Sequence, residues 1–500
     1  MQWERLSNDV LIGAQAPTVA INWNASRTTL DDPPQQVRGT YGYYTVSRQY
    51  TEGKIHSNNV GFFLQDAWTI SNRLTLNLGL RSDAETIPSY RPENPSLEFG
   101  IGDKLAPRVG FAYDIKGDGQ WKAYGSWGLF YDISKLEMPR GAWGADHWID
   151  YHYTLDSYEW PSINCEGPQG SGCAGRFIEL ADRRHVSNDA SNNLIDPNLK
   201  PIRTQEFTLG VDHELTRSIS VGVRYAHKWL DRTIEDVGIQ VAGVGEVFMI
   251  ANPGYGIAEY TLAAQCPACP AQPKAQRVYD GLEFRLRKRL SNNWSMNTSY
   301  TYSHLVGNYS GLTSSDENNR NSPSVARFFD GLYMSFDAHG NPIEGELQTD
   351  RPHYFKVQTT YDLPWGTGIG ANITAASGTL QQSTITYKSV PVFDDARGNM
   401  GRTPVYSFTD LFAQQDIRMK GLRFNLGVTV FNLFDQDTVT RLFTTRYRDA
   451  ISGITDTQFF QGFDVQALAA ATNLRPDARF NQADQYLGAR TIRVQTRFSF

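Results

Sequence analysis

The sequence predicts an all-β protein, an antiparallel up-and-down β-barrel of the transmembrane, outer-membrane type. Two observations predict it: a hydrophobic period of two along most of the chain, and a strict alternation of short and long connections. Composition is a third. The 500 residues include 43 Gly, 25 Tyr, 26 Phe and 11 Trp, yet only 40% are hydrophobic. Mean hydropathy is -0.45. A soluble all-β protein has that profile; so does a membrane barrel, whose strands carry their apolar residues in alternation. A bundle of membrane helices is excluded, because each span needs ~20 consecutive apolar residues and no such run exists. With 47 basic and 53 acidic residues, a net charge of -6 argues against a nucleic-acid binder, which carries a basic patch or stripe.

The alternation is explicit from strand to strand. Leu74, Leu76, Leu78 and Leu80 interleave with Arg73, Thr75, Asn77, Gly79 and Arg81. Val109, Phe111, Tyr113 and Ile115 interleave with Arg108, Gly110, Ala112 and Asp114. The same holds for Phe207, Leu209 and Val211, for Ile219, Val221, Val223 and Tyr225, and for Leu282, Phe284 and Leu286. Near the end, Leu422, Phe424, Leu426, Val428 and Val430 oppose Arg423, Asn425, Gly427 and Thr429. The last strand sets Ile492, Val494, Phe498 and Phe500 against Arg493, Gln495, Arg497 and Ser499. Successive side chains on a strand point to opposite faces. Each strand therefore has one apolar and one polar face, and the polar face is often charged.

A soluble sandwich alternates too; the connections decide between the two. Tight turns fall at Ser71-Asn72, Lys116-Gly117-Asp118-Gly119, Thr216-Arg217, Ser291-Asn292, Leu363-Pro364-Trp365-Gly366 and Lys420-Gly421. Between them lie long connections: Thr86 to Lys104, Asp132 to Arg203, Asp231 to Gln276, Val306 to Asp350, Ser377 to Pro404 and Asp435 to Leu487. Turns on one side and loops on the other are the layout of an outer-membrane barrel. Most connections in soluble domains are short. With earlier strand-like runs at Thr18 to Ala25 and Gly39 to Tyr50, roughly 15 strands are expected, within the range of such barrels. Trp68, Tyr113, Trp121, Tyr131, Trp229, Trp294, Tyr361 and Trp365 lie near strand ends, where aromatic girdles belong. The chain reads as one domain over 1–500. Its start, 1–38, is poorly defined, and barrel strands and loops are clear over 39–500.

Six strings, in order, resemble one family. They are Val60 to Arg81, LAPRVGFAYDIKGDGQWKAYGSWGLFYD (Leu105 to Asp132), Leu199 to Leu215, Asp350 to Gly366, GVTVFNLFD (Gly427 to Asp435) and RTIRVQTRFSF (Arg490 to Phe500). They are similar to barrel segments of the Oar-like TonB-dependent outer-membrane receptors, which usually carry a carboxypeptidase-regulatory-like domain. The resemblance implies the bacterial outer membrane and a receptor whose long loops capture an unknown small substrate or peptide. It implies import gated by a plug and driven by the TonB energising complex. The partners would be that complex, outer-membrane lipid and the outer-membrane assembly machinery, with no nucleic acid, no cofactor and no enzymatic chemistry. Terminal Phe500 would be the assembly signal; a Phe that only faces lipid is the plainer alternative, and both can hold. The family's barrels have about 22 strands. This chain is therefore expected to be the C-terminal portion of such a barrel, incomplete and without a plug. A plugless passive channel, a surface adhesin barrel and a soluble all-β protein remain the competing expectations.

Other signals are weaker. Cys165, Cys173, Cys266 and Cys269 form two close pairs. Cys266-Pro-Ala-Cys269 has redox or zinc spacing, but nothing completes four metal ligands. Two loop disulfides in an oxidising compartment are the expectation. The aromatic stretch Trp143 to Trp160 suits sugar or peptide stacking, or a hairpin packing its own rings. Asp114, Asp118 and Gly119 lack a calcium loop's full ligand spacing and fit an ordinary tight turn. Gly366, Gly368 and Gly370 precede no helix, so phosphate binding is not expected. His147, His152, His185 and His213 show no metal-ligand spacing, and no G-x-S-x-G elbow exists. A short helix is expected within Asp464 to Asn473.

Overall fold

The computed structural model describes residues 1–12, 16–31, 33–90, 96–134, 136, 146–159, 163–182, 195–241, 245–256, 270–310, 329, 332–388, 390–419 and 422–499. Among these residues, one antiparallel sheet holds 19 strands. Its wall consists of β1 (Gln2–Ile12), β2 (Gly42–Ile70), β3 (Leu74–Ile87), β4 (Ala106–Asp114), β5 (Trp121–Tyr131), β6 (Arg203–Thr216) and β7 (Ile219–Arg232). It continues with β8 (Arg277–Ser291), β9 (Trp294–Gly307), β10 (His353–Asp362), β11 (Thr367–Ala376), β12 (Tyr406–Met419), β13 (Leu422–Phe431) and β14 (Thr491–Ser499). Each wall strand pairs with the next in sequence, without a crossover. Five shorter strands extend the sheet on the side of the long connections: Thr18–Trp23, Leu97–Phe99, Asp146–Leu155, Phe177–Asp182 and Gly345–Glu346. Among the described residues, no ladder joins β14 to β1 or β2.

Two details differ from the sequence expectation of roughly 15 strands. The runs at Gly39 to Tyr50 and from Val60 onward are one strand, β2, of 29 residues. At about 3.3 Å per residue it is about 95 Å long, three times the ~30 Å hydrocarbon core. Its upper part pairs with Asp146–Leu155 and Thr18–Trp23, so the Thr18 run decorates a projecting strand and is no stave of the wall. The missed stave is β1. It lies within the poorly defined start and pairs with Thr51 to Gly61 of β2. Its sequence, QWERLSNDVLI, mixes Arg and Asp with Leu and Ile on a weak alternation.

Turn chemistry sets the register. Ser71 and Asn72 have φ of 51° and 54°, and Asn292 and Asn293 have 53° and 60°. Two consecutive left-handed residues make the turn whose twist matches a hairpin. The Asp114 carboxylate accepts from the backbone N–H of Gly117 and of Gly119, both at 2.8 Å. It closes a turn and is not poised for calcium. Lys420 and Gly421 lie outside the described residues, and Met419 pairs with Leu422 across them.

The two faces sort as the alternation requires. Leu64, Trp68, Leu78, Leu80, Val109, Phe207, Leu209, Val223, Phe284, Phe355, Val494 and Phe498 are all exposed on the apolar face. An apolar surface this extensive and continuous is uncommon on a water-soluble monomer and is what hydrocarbon covers. Buried clusters occur instead where the long connections pack. One joins three of them through Tyr333, Phe336, Tyr387, Val392, Ile451, Phe459 and Phe460. Two helices sit in this cluster, α1 (Asp456–Gln461), capped by Thr455, and α2 (Val465–Ala471), capped by Asp464. A second cluster packs Ile55, Ile87, Leu97, Phe99, Ile202, Ile234 and Ile250. Beside it Lys104 and Glu85, each 2% exposed, form a buried ion pair. Glu85 also accepts from the Ser134 N–H at 2.7 Å.

Two predictions follow from burial. In lipid vesicles, Val428→Arg on the apolar face should cost about 2–4 kcal/mol of unfolding free energy. Thr429→Arg, one residue on and facing the other way, should cost far less; equal losses would contradict the assignment of faces. Lys104→Met leaves Glu85 buried without its cation and should destabilise by about 3–5 kcal/mol, read as a shifted denaturant midpoint.

Candidate functional site: a charged face beneath packed loops

The polar face is built in rows, because residues directly opposite on paired strands share a face. Glu206 of β6 is opposite Lys228 of β7, and the two form an ion pair at 2.7 Å. Arg224 of β7 is opposite Glu283 of β8, at 2.9 Å. A third row runs Lys122, Asp212, Gly222, Arg285 across β5 to β8. Gly222 has no side chain, so Asp212 lies across it and meets Arg285 at 2.9 Å. Arg285 also donates to the Tyr124 hydroxyl at 2.6 Å, and Tyr124 lies over Gly210. These glycines are the spaces that let long side chains lie flat and bond across a strand.

At the loop end of this face is a cavity of about 660 Å³. The ends of β6, β7, β8 and β9 line it, with Asp132, Tyr309 and Thr349 from the long connections. Arg224, Lys228 and Arg277 bring positive charge, and Asp132 and Glu283 bring negative charge. Nothing in the sequence marked this place. Its residues come from separate segments, and only strand register joins them.

The long connections are tied to one another by charge. Arg402 donates to Asp350 at 2.6 Å and to Glu346 at 2.8 Å. Lys388 pairs with Asp456 at 2.6 Å, and Arg446 with Asp394 at 2.5 Å. His304, Glu346 and Asp350 are close enough to hold a metal ion. Arg402 already occupies both carboxylates, so this is an ion-pair knot.

On the other flank, the projecting end of β2 and the strand Asp146–Leu155 pack Tyr44, Val46, Tyr151, Tyr153 and Leu155 around Cys165. Cys165 is bonded to Cys173, with an S–S distance of 2.04 Å. Cys266, Cys269 and Phe500 lie outside the described residues, as do Trp143, Trp160 and His185. The described part of the aromatic stretch divides. Tyr151 and Tyr153 are buried, whereas Tyr158 is 67% exposed and stacks with Trp23, their rings 5.8 Å apart. The described histidines do not converge. His147 stacks on Tyr50 and His213 on Trp121, while His152 bonds the Thr45 hydroxyl at 2.9 Å.

Two loop carboxylates are strongly perturbed. Hydrogen bonds from the Arg475 side chain and backbone hold Asp449 down to about 2. Those from Arg479 do the same for Asp477. Both values lie below the ordinary carboxylate pKa of about 3.9. Such a group stabilises fully above its unfolded value, and that contribution is lost as pH falls through the folded one. Hydrogen exchange across residues 446–479, corrected for intrinsic rate, should stay constant from pH 8 to pH 5. It should accelerate only between about pH 4 and pH 2. An onset near pH 6 would contradict this.

The family-model match agrees with the architecture. The family model for the outer membrane beta barrel domain matches residues 13–102 and 100–387. The TonB-dependent transporter Oar of Myxococcus xanthus is 26% identical over 443 residues, covering 83% of this chain and 40% of Oar. The chain thus spans less than half the length of that curated relative. Among solved structures, the outer membrane transporter YddB from Escherichia coli is 10% identical with a TM-score of 0.48, covering 91% of this chain and 50% of that one. The ferripyoverdine receptor of Pseudomonas aeruginosa is 12% identical with a TM-score of 0.45, covering 91% and 44%. These relatives are transporters and receptors, not enzymes. With a model match over more than half its length, the chain belongs to the outer membrane beta barrel domain family, and its place is the bacterial outer membrane.

Proposed function

We propose that the chain forms the barrel wall and loops of an outer-membrane receptor and transporter. Its long loops and the charged inner face capture a substrate outside. Import then proceeds by TonB-coupled gating of a plug within the lumen. The observation that carries this reading is a face lined with ion pairs, ending in a cavity beside packed loops. A passive pore has no need of a cavity at its mouth; a receptor does. The Oar relative, a TonB-dependent transporter by name, supports the coupling. The Cys165–Cys173 bridge fits an oxidising, extracellular loop environment. Cys266 and Cys269 are proposed to bridge in the same way, and Phe500 to serve the assembly machinery.

The mechanism is binding and displacement, with no bond chemistry. Cross-strand pairs such as Arg224–Glu283 keep the wall polar and wet, so that a plug or substrate moves against it through exchangeable hydrogen bonds. Hydrocarbon outside prevents the staves from separating, since each broken ladder bond would leave unpaired backbone.

Uptake profiling tests the proposal. Cells displaying the protein and control cells are given a mixture of peptides, iron chelates and oligosaccharides, and depletion of the medium is followed by mass spectrometry. At least one class should be depleted only by displaying cells, and an uncoupler of the proton-motive force should stop it. Depletion that persists under uncoupling would assign a passive channel; surface retention without uptake would assign an adhesin.

A further inference from the structure

We infer that the distal end of the arm built on β2 is a binding platform for an uncharged glycan, with Trp23 and Tyr158 as its stacking surface. The inference goes beyond the transport reading and does not depend on it. The arm is a small sheet of its own. The far end of β2 lies between Thr18–Trp23 and Asp146–Leu155, and the bond between Cys165 and Cys173 braces its core. Three chain segments meet at the tip. The Tyr41 N–H donates to the Leu155 carbonyl, and the Tyr41 carbonyl accepts from the Asn24 N–H, both at 2.8 Å. There Tyr158 meets two rings: Trp23, 5.8 Å away and 27° from parallel, and Tyr41 at 4.1 Å. Tyr41 is half-buried and roots the stack in the core of the arm. Trp23 is 44% exposed and Tyr158 67%. Singly exposed aromatics are ordinary. Here two adjoin on a rigid support, which is how a contact surface is held ready.

Position, area and charge select the ligand. Gly42, opposite Trp23, is 20 residue steps from Phe62, where the exposed apolar stretch of β2 begins. That is about 66 Å of strand at ~3.3 Å per residue, or roughly 50 Å along the membrane normal at a ~40° tilt. Lipid does not reach the rings. Their exposed area is on the order of 250 Å², against ~800 Å² per partner in a stable protein interface. Within residues 22–24, 38–42 and 154–159 no other large hydrophobic side chain is exposed. Charge at the tip cancels. Arg38, which donates to the carbonyls of Asn24 and Thr40, and Arg176, drawn to Asp156, are matched by Asp156 and Glu159. The polar rim is fixed beside the rings, since Asp156 accepts from the Thr40 N–H at 2.8 Å and from the Thr154 hydroxyl at 2.7 Å. A hydroxyl both donates and accepts, so this carboxylate and the Arg38 guanidinium suit the hydroxyls of a sugar alike. The C–H face of a sugar ring packs on the face of an aromatic one. A few fixed polar groups around aromatic surface are the usual make-up of a small-ligand site, and an uncharged glycan meets all three conditions.

Calorimetric titration of the detergent-solubilised full chain tests this. The probes are cellohexaose, maltohexaose and chitohexaose, with an end-blocked Ala-Gly hexapeptide as the uncharged non-sugar control. Saturable binding of at least one oligosaccharide is expected, without binding of the peptide. Trp23→Ala and Tyr158→Ala should each weaken the bound oligosaccharide about tenfold, or ~1.4 kcal/mol. Trp23→Leu, which keeps an apolar side chain and removes the ring, should lose as much as Trp23→Ala. Tyr158→Phe, which keeps the ring, should bind within about twofold of the unaltered protein. Both side chains are exposed, so the arm should resist trypsin equally in all variants; if one of the Trp23 variants does not assemble, the Tyr158 pair decides. No saturable heat with any oligosaccharide, peptide binding as tight as sugar binding, or indifference to loss of either ring would overturn the inference. Energised uptake that survives Trp23→Ala and Tyr158→Ala while oligosaccharide binding is lost would uphold the platform as a site separate from transport. Oligosaccharide binding without energised uptake of any compound would uphold the platform and refute the transporter reading alone.

Discussion

The constraint on which the rest depends is that a backbone in hydrocarbon has no water to bond. Every N–H and C=O within the bilayer must find a protein partner. The uninterrupted neighbour pairing from β1 to β14 is the answer to that requirement. It forces strict period-two patterning on each stave, because one face must satisfy lipid and the other a polar interior. It also confines irregular backbone to the ends. The loop ends carry the elaboration: the buried clusters, both helices and the bridge between Cys165 and Cys173.

The same requirement explains how the inner face is organised. With the backbone committed to ladders, side chains do the rest, and register decides which of them meet. Glu206 and Lys228 pair because they are opposite. Asp212 reaches Arg285 because Gly222 lies between them. Charged side chains on such a wall are held by neighbours on adjacent strands, so the wall stays polar without a strong net field.

The loops obey different rules. Above the membrane they are ordinary soluble structure, with a core of Tyr333, Phe336, Phe459 and Phe460 and ion pairs at its margin. The exposed Lys388–Asp456 pair contributes little by itself. Arg402 has a positional role, since it ties Glu346 and the buried Asp350 to the segment after β11.

Much of the fold was legible in the residues. Leu74 to Arg81 or Leu422 to Val430 admits only a two-faced strand, and the spacing of turns orders such strands into an up-and-down wall. The helix near Asp464 was also readable, as its carboxylate caps α2. Resemblance along six strings pointed to the Oar-like TonB-dependent receptors; the model match establishes the broader outer membrane beta barrel domain family. β1 escaped because its alternation is weak, and its assignment depends on β2 beside it. The cavity escaped for a deeper reason. Asp132, Arg224, Arg277, Tyr279 and Thr349 are far apart in sequence, and nothing local marks them. Period and turns are local properties, which a sequence carries by itself; which side chains share a row depends on register between strands, and only the paired sheet decides that.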